Sequence, residues 1–159
     1  MRPSVYKKVY RSGVGIMIIN NKKKIFVAER HDFIGAWQMP QGGVERNEDL
    51  LKAAFRELEE ETSILEKDVK VLDEVPNWLY YDLPKNLINV LWNGKYVGQK
   101  QKWFLFQFLG EDKDIDVNTN NPEFLRWKWS DKNQLISNIV EFKKDIYKKI
   151  IENFSPHLI

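Results

Sequence analysis

Residues Gly42–Ile64 read GGVERNEDLLKAAFRELEEETSI, and their reading decides the fold and the function of the chain. Leu51, Ala54, Phe55 and Leu58 recur at i, i+3, i+4 and i+7, the spacing of one apolar helical face. Asn47 is expected as the N-cap, with Glu48 and Asp49 in the first turn, where the helix dipole favours acids. Gly42 and Gly43 precede the helix and permit close approach of the backbone to a ligand. The far end is less ordinary. Glu57, Glu60 and Glu61 share a face, and like charges at that spacing cost a helix about 0.2–0.5 kcal/mol per pair. They also sit at the C-terminal end, where the macrodipole disfavours anions. Taken alone, RELEEE is also what a solvated acidic face looks like. In this setting the crowding points to divalent cations with oxygen ligands.

Working outward, Val14–Ile19 and Ile25–Ala28 are short β-branched runs that predict a hairpin across the turn Asn20–Lys23. Pro40 disfavours helix at Met39, so Trp37–Pro40 is extended. Strands are expected over Val69–Val75, Trp78–Leu83, Lys102–Leu109 and Phe124–Trp129. Loops are expected from Pro84 to Gly98 and over Glu111–Asn121, and helices over Asn133–Ile139 and Phe142–Phe154. The pattern is α+β, a mixed sheet with helices on its faces. A length of 159 residues suits one domain, 1–159, around a single core.

Composition removes several classes of function. The chain has no cysteine and two histidines, His31 and His157, so thiolate chemistry and a histidine-rich metal site are set aside. The basic, aromatic lead-in of residues 1–12 has no apolar signal-peptide core, and no apolar run approaches a membrane span. A cytoplasmic enzyme is expected. The net charge of +2 does not announce a nucleic-acid binder, so such a role must rest on local patches.

The spacing from Gly42, G-x5-E-x7-R-E-Leu-x-E-E-x-Ser-Ile, closely resembles the Nudix box, G-x5-E-x7-R-E-U-x-E-E-x-G-U, with U aliphatic. Gly42, Glu48, Arg56, Glu57, Leu58, Glu60, Glu61 and Ile64 match. Ser63 stands where the family has glycine, at a position where helices often end left-handed, and serine there costs about 1–2 kcal/mol. Further segments resemble one bacterial subfamily, the RNA pyrophosphohydrolases, also called dinucleoside polyphosphate hydrolases or invasion-associated Nudix proteins. They are Trp37–Gly43, Asn77–Leu79, Leu83–Lys85, Gly98–Phe104, Pro122–Phe124 and Phe142–Lys143.

The resemblance implies a Nudix-type α/β/α sandwich with a mixed β-sheet. It implies that Glu57, Glu60 and Glu61, with the main-chain carbonyl of Gly42, hold Mg²⁺ or Mn²⁺, and that Arg56 positions the carboxylates. Glu123 matches an added acid for metal binding or water activation. Which carboxylate acts as general base stays open. The chemistry fits, since divalent ions can neutralise a polyphosphate and activate water. Arg11 and Lys143 match phosphate-contacting positions. Tyr81 and Phe142 are candidates to sandwich a base, and Lys100 and Lys102 to line the approach of a 5′ triphosphate. The implied reaction removes pyrophosphate from triphosphorylated RNA 5′ ends. The alternatives are cleavage of diadenosine tetra- or pentaphosphate, cleansing of oxidised nucleoside triphosphates, and a non-cleaving nucleotide sensor, against which the full set of box glutamates argues. No membrane partner and no DNA are expected.

Overall fold

The computed structural model describes residues 9–159, so the part of the lead-in at positions 1–8 lies outside the described residues. At the centre, β1 (Tyr10–Ile19) and β7 (Gly98–Phe108) run parallel, from Tyr10 opposite Gly98 to Ile19 opposite Gln107. Every other pairing in the sheet is antiparallel. Both central strands are long enough to take two partners each along their outer edges. β2 (Ile25–Arg30) joins one end of β1 in the expected hairpin, and β4 (Gln41–Gly43) joins the other. On β7, β5 (Val69–Glu74) borders the far half and β6 (Leu79–Asp82) the near half. β8 (Phe124–Ser130) extends the sheet beyond β2, and β3 (Trp37–Gln38) pairs with β2 at Ala28 and Glu29 on the edge that β1 borders. The end bordered by β4 and β6 carries the candidate site.

Both faces of the central pair are covered, which is why Val14–Ile19 is a continuous buried run rather than an alternating one. Val14, Ile16, Ile18, Phe104 and Phe106 pack on one side with Ala53, Ala54 and Leu58 of α1 (Leu50–Thr62). Met17, Ile19, Trp103 and Leu105 pack on the other with α3 (Lys132–Asn138) and α4 (Lys144–Phe154) through Leu135, Tyr147 and Ile150. The result is the expected sandwich.

Local departures have local causes. The N-cap of α1 is Asp49, whose carboxylate accepts from the Lys52 N–H at 3.1 Å. Asn47 is instead left-handed, with φ 62°, in the turn before it, a conformation asparagine tolerates. The span read as loop after Pro84 contains a short helix, α2 (Lys85–Ile88), and a 3₁₀ turn at Leu91–Gly94. β7 begins at Gly98 rather than Lys102, because β6 and β1 supply partners for its polar first half. A separate 3₁₀ turn, Glu141–Lys143, precedes α4, so Phe142 and Lys143 lie in that turn and not within a continuous helix.

Ser63 closes α1 in the left-handed conformation, φ 66°. Its hydroxyl donates to the Asp116 carbonyl at 2.8 Å, and the Asp116 N–H donates to the Thr62 carbonyl at 2.9 Å. A side-chain bond that glycine cannot make thus offsets the strain glycine would avoid. Among the described residues, no helix is long and apolar enough to cross a membrane.

Candidate active site

Arg56 organises the first half of the site. Its Nε and Nη2 donate to the two oxygens of Glu48, both at 2.8 Å, in a bidentate fork. Its Nη1 donates to Glu57 at 2.8 Å and reaches Glu60 at 3.5 Å, and Nη2 also donates to the Gly43 carbonyl at 2.9 Å. Glu48 is held down to about 2, first by Arg56 and then by the Glu45 N–H. One side chain therefore ties the loop, the helix start and the acidic face together. Gly42 has a steric reason to be glycine, because a Cβ there would overlap the Glu57 carboxylate.

The other carboxylates are not satisfied in this way. Glu61 is 5% exposed, and its Oε2 has no hydrogen-bond partner, alone among buried side-chain polar atoms of the described residues. Burial raises its carboxyl well above the usual range, and Glu123 and Glu57 raise it further, against a bond from the Gln41 N–H. Burial also raises Glu57, although Arg56 pulls it back. Glu123, at the rim on a distant segment, is raised by desolvation and by Asp32, against Arg30 and Arg11. A carboxylate cluster this unfavourable is what a cation would relieve. Among the described residues, no three acidic or histidine side chains form a closed ion cage by themselves. Mg²⁺ does not need one, since it keeps several waters and takes substrate oxygens. Glu57, Glu60, Glu61 and Glu123 border a cavity of about 580 Å³, which could hold such ions.

Glu57 and Glu123 also border a second cavity of about 520 Å³, whose remaining wall carries Arg11, Arg30 and Lys143. Arg11 lies 5.1 Å from the centre of the Trp92 ring and packs where a Cβ at Gly43 would sit. Lys143 is 3% exposed and donates to Gln38 Oε1 at 3.3 Å. Desolvation, then Arg30, lowers its ammonium to about 7. Its Nζ lies 5.6 Å from the Tyr81 ring and 5.9 Å from that of Phe142. Those two rings adjoin at 5.8 Å with a 40° tilt, so a base between them requires them to part.

The structure thus brings together Gly42, Arg56, Glu57, Glu60, Glu61, Glu123, Arg11, Tyr81, Phe142 and Lys143. It does not bring Lys100 and Lys102 to either cavity. Side chains alternate along β7, and the buried Gln99 and Gln101 take the pocket side. Lys100 lies 4.9 Å from the Trp78 ring, and Lys102 donates to the Val75 and Pro76 carbonyls at 3.0 and 2.8 Å. The sequence reading missed Arg30, Asp32, Gln41, Trp92 and Gln99, all of which line the cationic cavity. Arg30 follows a bulge between Glu29 and Arg30, which periodicity does not reveal. Gln41 was visible only as the neighbour of the paired glycines.

The NUDIX domain model matches residues 9–153. The RNA pyrophosphohydrolase of Pelagibacter ubique is 51% identical over 143 residues, which cover 89% of each chain. That of Wolbachia pipientis from Culex pipiens is 48% identical over 150 residues, covering 94% of this chain and 91% of its own. Among solved structures, the E. coli dihydroneopterin triphosphate pyrophosphohydrolase superposes with a TM-score of 0.72 at 22% identity. That match spans 92% of this chain and 99% of the other and is a likeness of fold.

Proposed function

The chain belongs to the Nudix family, and from that premise we propose that it removes pyrophosphate from the 5′ end of triphosphorylated RNA. Water adds to a phosphorus and a phosphoanhydride bond breaks, leaving a 5′-monophosphate end open to nucleases. The name shared by relatives of about half identity over nearly the whole chain supports the RNA end as substrate. The observation that carries the hydrolytic reading is the unpartnered, buried Glu61 carboxylate oxygen, in the acidic cavity it shares with Glu57, Glu60 and Glu123.

The family's chemistry uses a divalent cation, which would be Mg²⁺ or Mn²⁺ here. When bound, it neutralises the polyphosphate and lowers the pKa of the attacking water. Glu57, Glu60, Glu61 and the Gly42 carbonyl would hold it, with Glu123 completing the acidic wall. Arg56 keeps Glu57 in place while remaining locked to Glu48. Arg11, Arg30 and Lys143 bind the phosphates on the opposite wall. Tyr81 and Phe142 flank the first nucleoside. Residues 1–159 act as one catalytic domain, in the cytoplasm where RNA ends are found.

The test is an initial-rate comparison on 5′-triphosphate RNA and diadenosine tetraphosphate, with Mg²⁺ or Mn²⁺ and with products separated by chromatography. Release of pyrophosphate from RNA at the higher kcat/KM supports the reading. Preference for the dinucleotide would move the substrate to the alternative class, and no metal-dependent cleavage of either would remove the enzyme reading.

A further inference from the structure

Four polar side chains run from the core to the pocket along β7 and β4: Trp103, Gln101, Gln99 and Gln41. Trp103 is fully buried, and its ring occupies the space a Cβ at Gly15 would need. An indole N–H can only donate. It donates to Gln101 Oε1 at 3.0 Å. Gln101, also fully buried, must then turn its amide nitrogen the other way. That nitrogen donates to Gln99 Oε1 at 3.1 Å and to Gln41 Oε1 at 3.2 Å, which uses both of its hydrogens.

The consequence reaches the cavity. With their oxygens turned toward Gln101, Gln99 and Gln41 point their NH₂ groups onward. Burial raises the Tyr81 hydroxyl to about 12, and the Gln41 amide pulls it back. The Gln99 nitrogen has no hydrogen bond to the described residues, and Gln99 lines the cationic cavity. The Gln99 oxygen rests against Gly13, where a Cβ would approach it to 2.9 Å. Across the sheet, Gln99 stands opposite Arg11 on β1 and opposite Tyr81 on β6. A donor therefore lies between a phosphate-binding cation and the ring expected beside the base.

We propose that Gln99 binds substrate, donating from Nε2 to an oxygen of the phosphate nearest the nucleoside, and that Trp103 sets this polarity through Gln101 without touching the substrate. Gln99 is then a binding residue and Trp103 a positioning residue. The inference rests on the reading of this cavity as a polyphosphate site.

The test measures binding of a 5′-triphosphorylated dinucleotide to the metal-free protein by calorimetry. Gln99→Glu keeps the shape and replaces the donor with a charged acceptor. Its Kd is expected to rise about 10- to 100-fold, the scale of an unmet polar partner. Trp103→Phe keeps a ring and removes the N–H, which frees the amides to flip. Its Kd is expected to rise about threefold to tenfold, and the rise should vanish in a Gln99→Ala background. In ¹⁵N-labelled wild-type protein, the Gln99 side-chain amide resonance should move on titration, which tests the contact with no variant at all. If the wild-type protein binds the dinucleotide but Gln99→Glu binds as tightly, or the resonance stays fixed, the assignment of Gln99 is overturned. A Trp103→Phe variant that lowers Tm without changing Kd overturns the relay. A wild-type protein that binds no triphosphate counts against the function proposed above instead.

Discussion

The two ends of α1 treat their carboxylates in opposite ways. At the start, Glu48 receives a bidentate Arg56 and a backbone N–H, and its carboxyl sits at about 2. At the finish, Glu61 is buried with one oxygen unpartnered, and its carboxyl is pushed up by burial and by its acidic neighbours. Both belong to the same motif, and sequence spacing does not rank them. The difference separates holding from acting. Glu48 keeps Arg56, and through it Glu57, in place. Glu61 is left in a state that is unfavourable until a cation arrives.

The sharpest way to break this comparison is to neutralise each carboxylate in turn. Glu61→Gln should lower turnover on triphosphorylated RNA by about 10³-fold, the scale of losing an electrostatic partner at a reacting centre. The metal-free protein should at the same time become more stable, by about 1–3 kcal/mol, because a buried charge is gone. The pH dependence has a definite sign. The folded carboxyl lies above its unfolded value, so metal-free wild-type protein loses stability as pH rises through the raised value. Thermal melts against pH should show that loss in the wild type and a flatter profile in Glu61→Gln.

Glu48→Gln should do the reverse, costing about 1–2 kcal/mol of stability while turnover falls less than about tenfold. Equal losses of turnover in the two variants would erase the distinction drawn here. Arg56→Lys tests the link between the ends. An ammonium cannot hold Glu48 in a fork while also reaching Glu57 and the Gly43 carbonyl. Turnover should fall about 10- to 100-fold, and denaturant melts should show about 2 kcal/mol lost.

A smaller effect is expected at Lys143, where the cavity sets acids against bases. Its ammonium is lowered to about 7 among Arg30, Asp32, Glu61 and Glu123. Polyphosphate binding favours the charged form, so above about pH 7 it must draw a proton from solvent. At saturating metal, KM should rise by up to about tenfold per pH unit above that point. Lys143→Arg, which stays charged, should flatten the profile of KM against pH.

The smallest effect belongs to Ser63. Ser63→Ala keeps the left-handed strain and loses the bond to Asp116, so it should cost about 1 kcal/mol in thermal melts. Ser63→Gly loses the bond and the strain together and should stay near wild type. A clearly stabilised Ser63→Gly would mean that the serine bond contributes little.

Much of the acidic wall was legible because it is local. Three glutamates on one helical face need only the pitch of a helix, and a glycine before them needs only to leave room. The cationic wall is different. Arg11, Arg30, Tyr81, Gln99 and Lys143 come from separate strands and one turn; the family resemblance points to Arg11, Tyr81 and Lys143, and no local periodicity marks any of the five. Lys100 and Lys102 look as good as Lys143 in the sequence. A strand shows one face to the pocket and the other elsewhere, so Gln99 and Gln101 took the places the lysines were expected to fill. β4 is only Gln41–Gly43, too short for any periodicity, and it exists because β1 offers it an edge.

By itself, then, the sequence determined the helix that carries the box and a mixed sheet with helices on its faces. Those follow from the 3.6-residue turn and from which residues avoid water. The tertiary structure alone decided which carboxylate would be satisfied and which left bare. That outcome depends on where a single guanidinium reaches, and Arg56 reaches Glu48 and Glu57 while Glu61 is enclosed beyond it. It also decided which way the pocket amides point, because a buried indole N–H can only donate and every glutamine beyond it must follow.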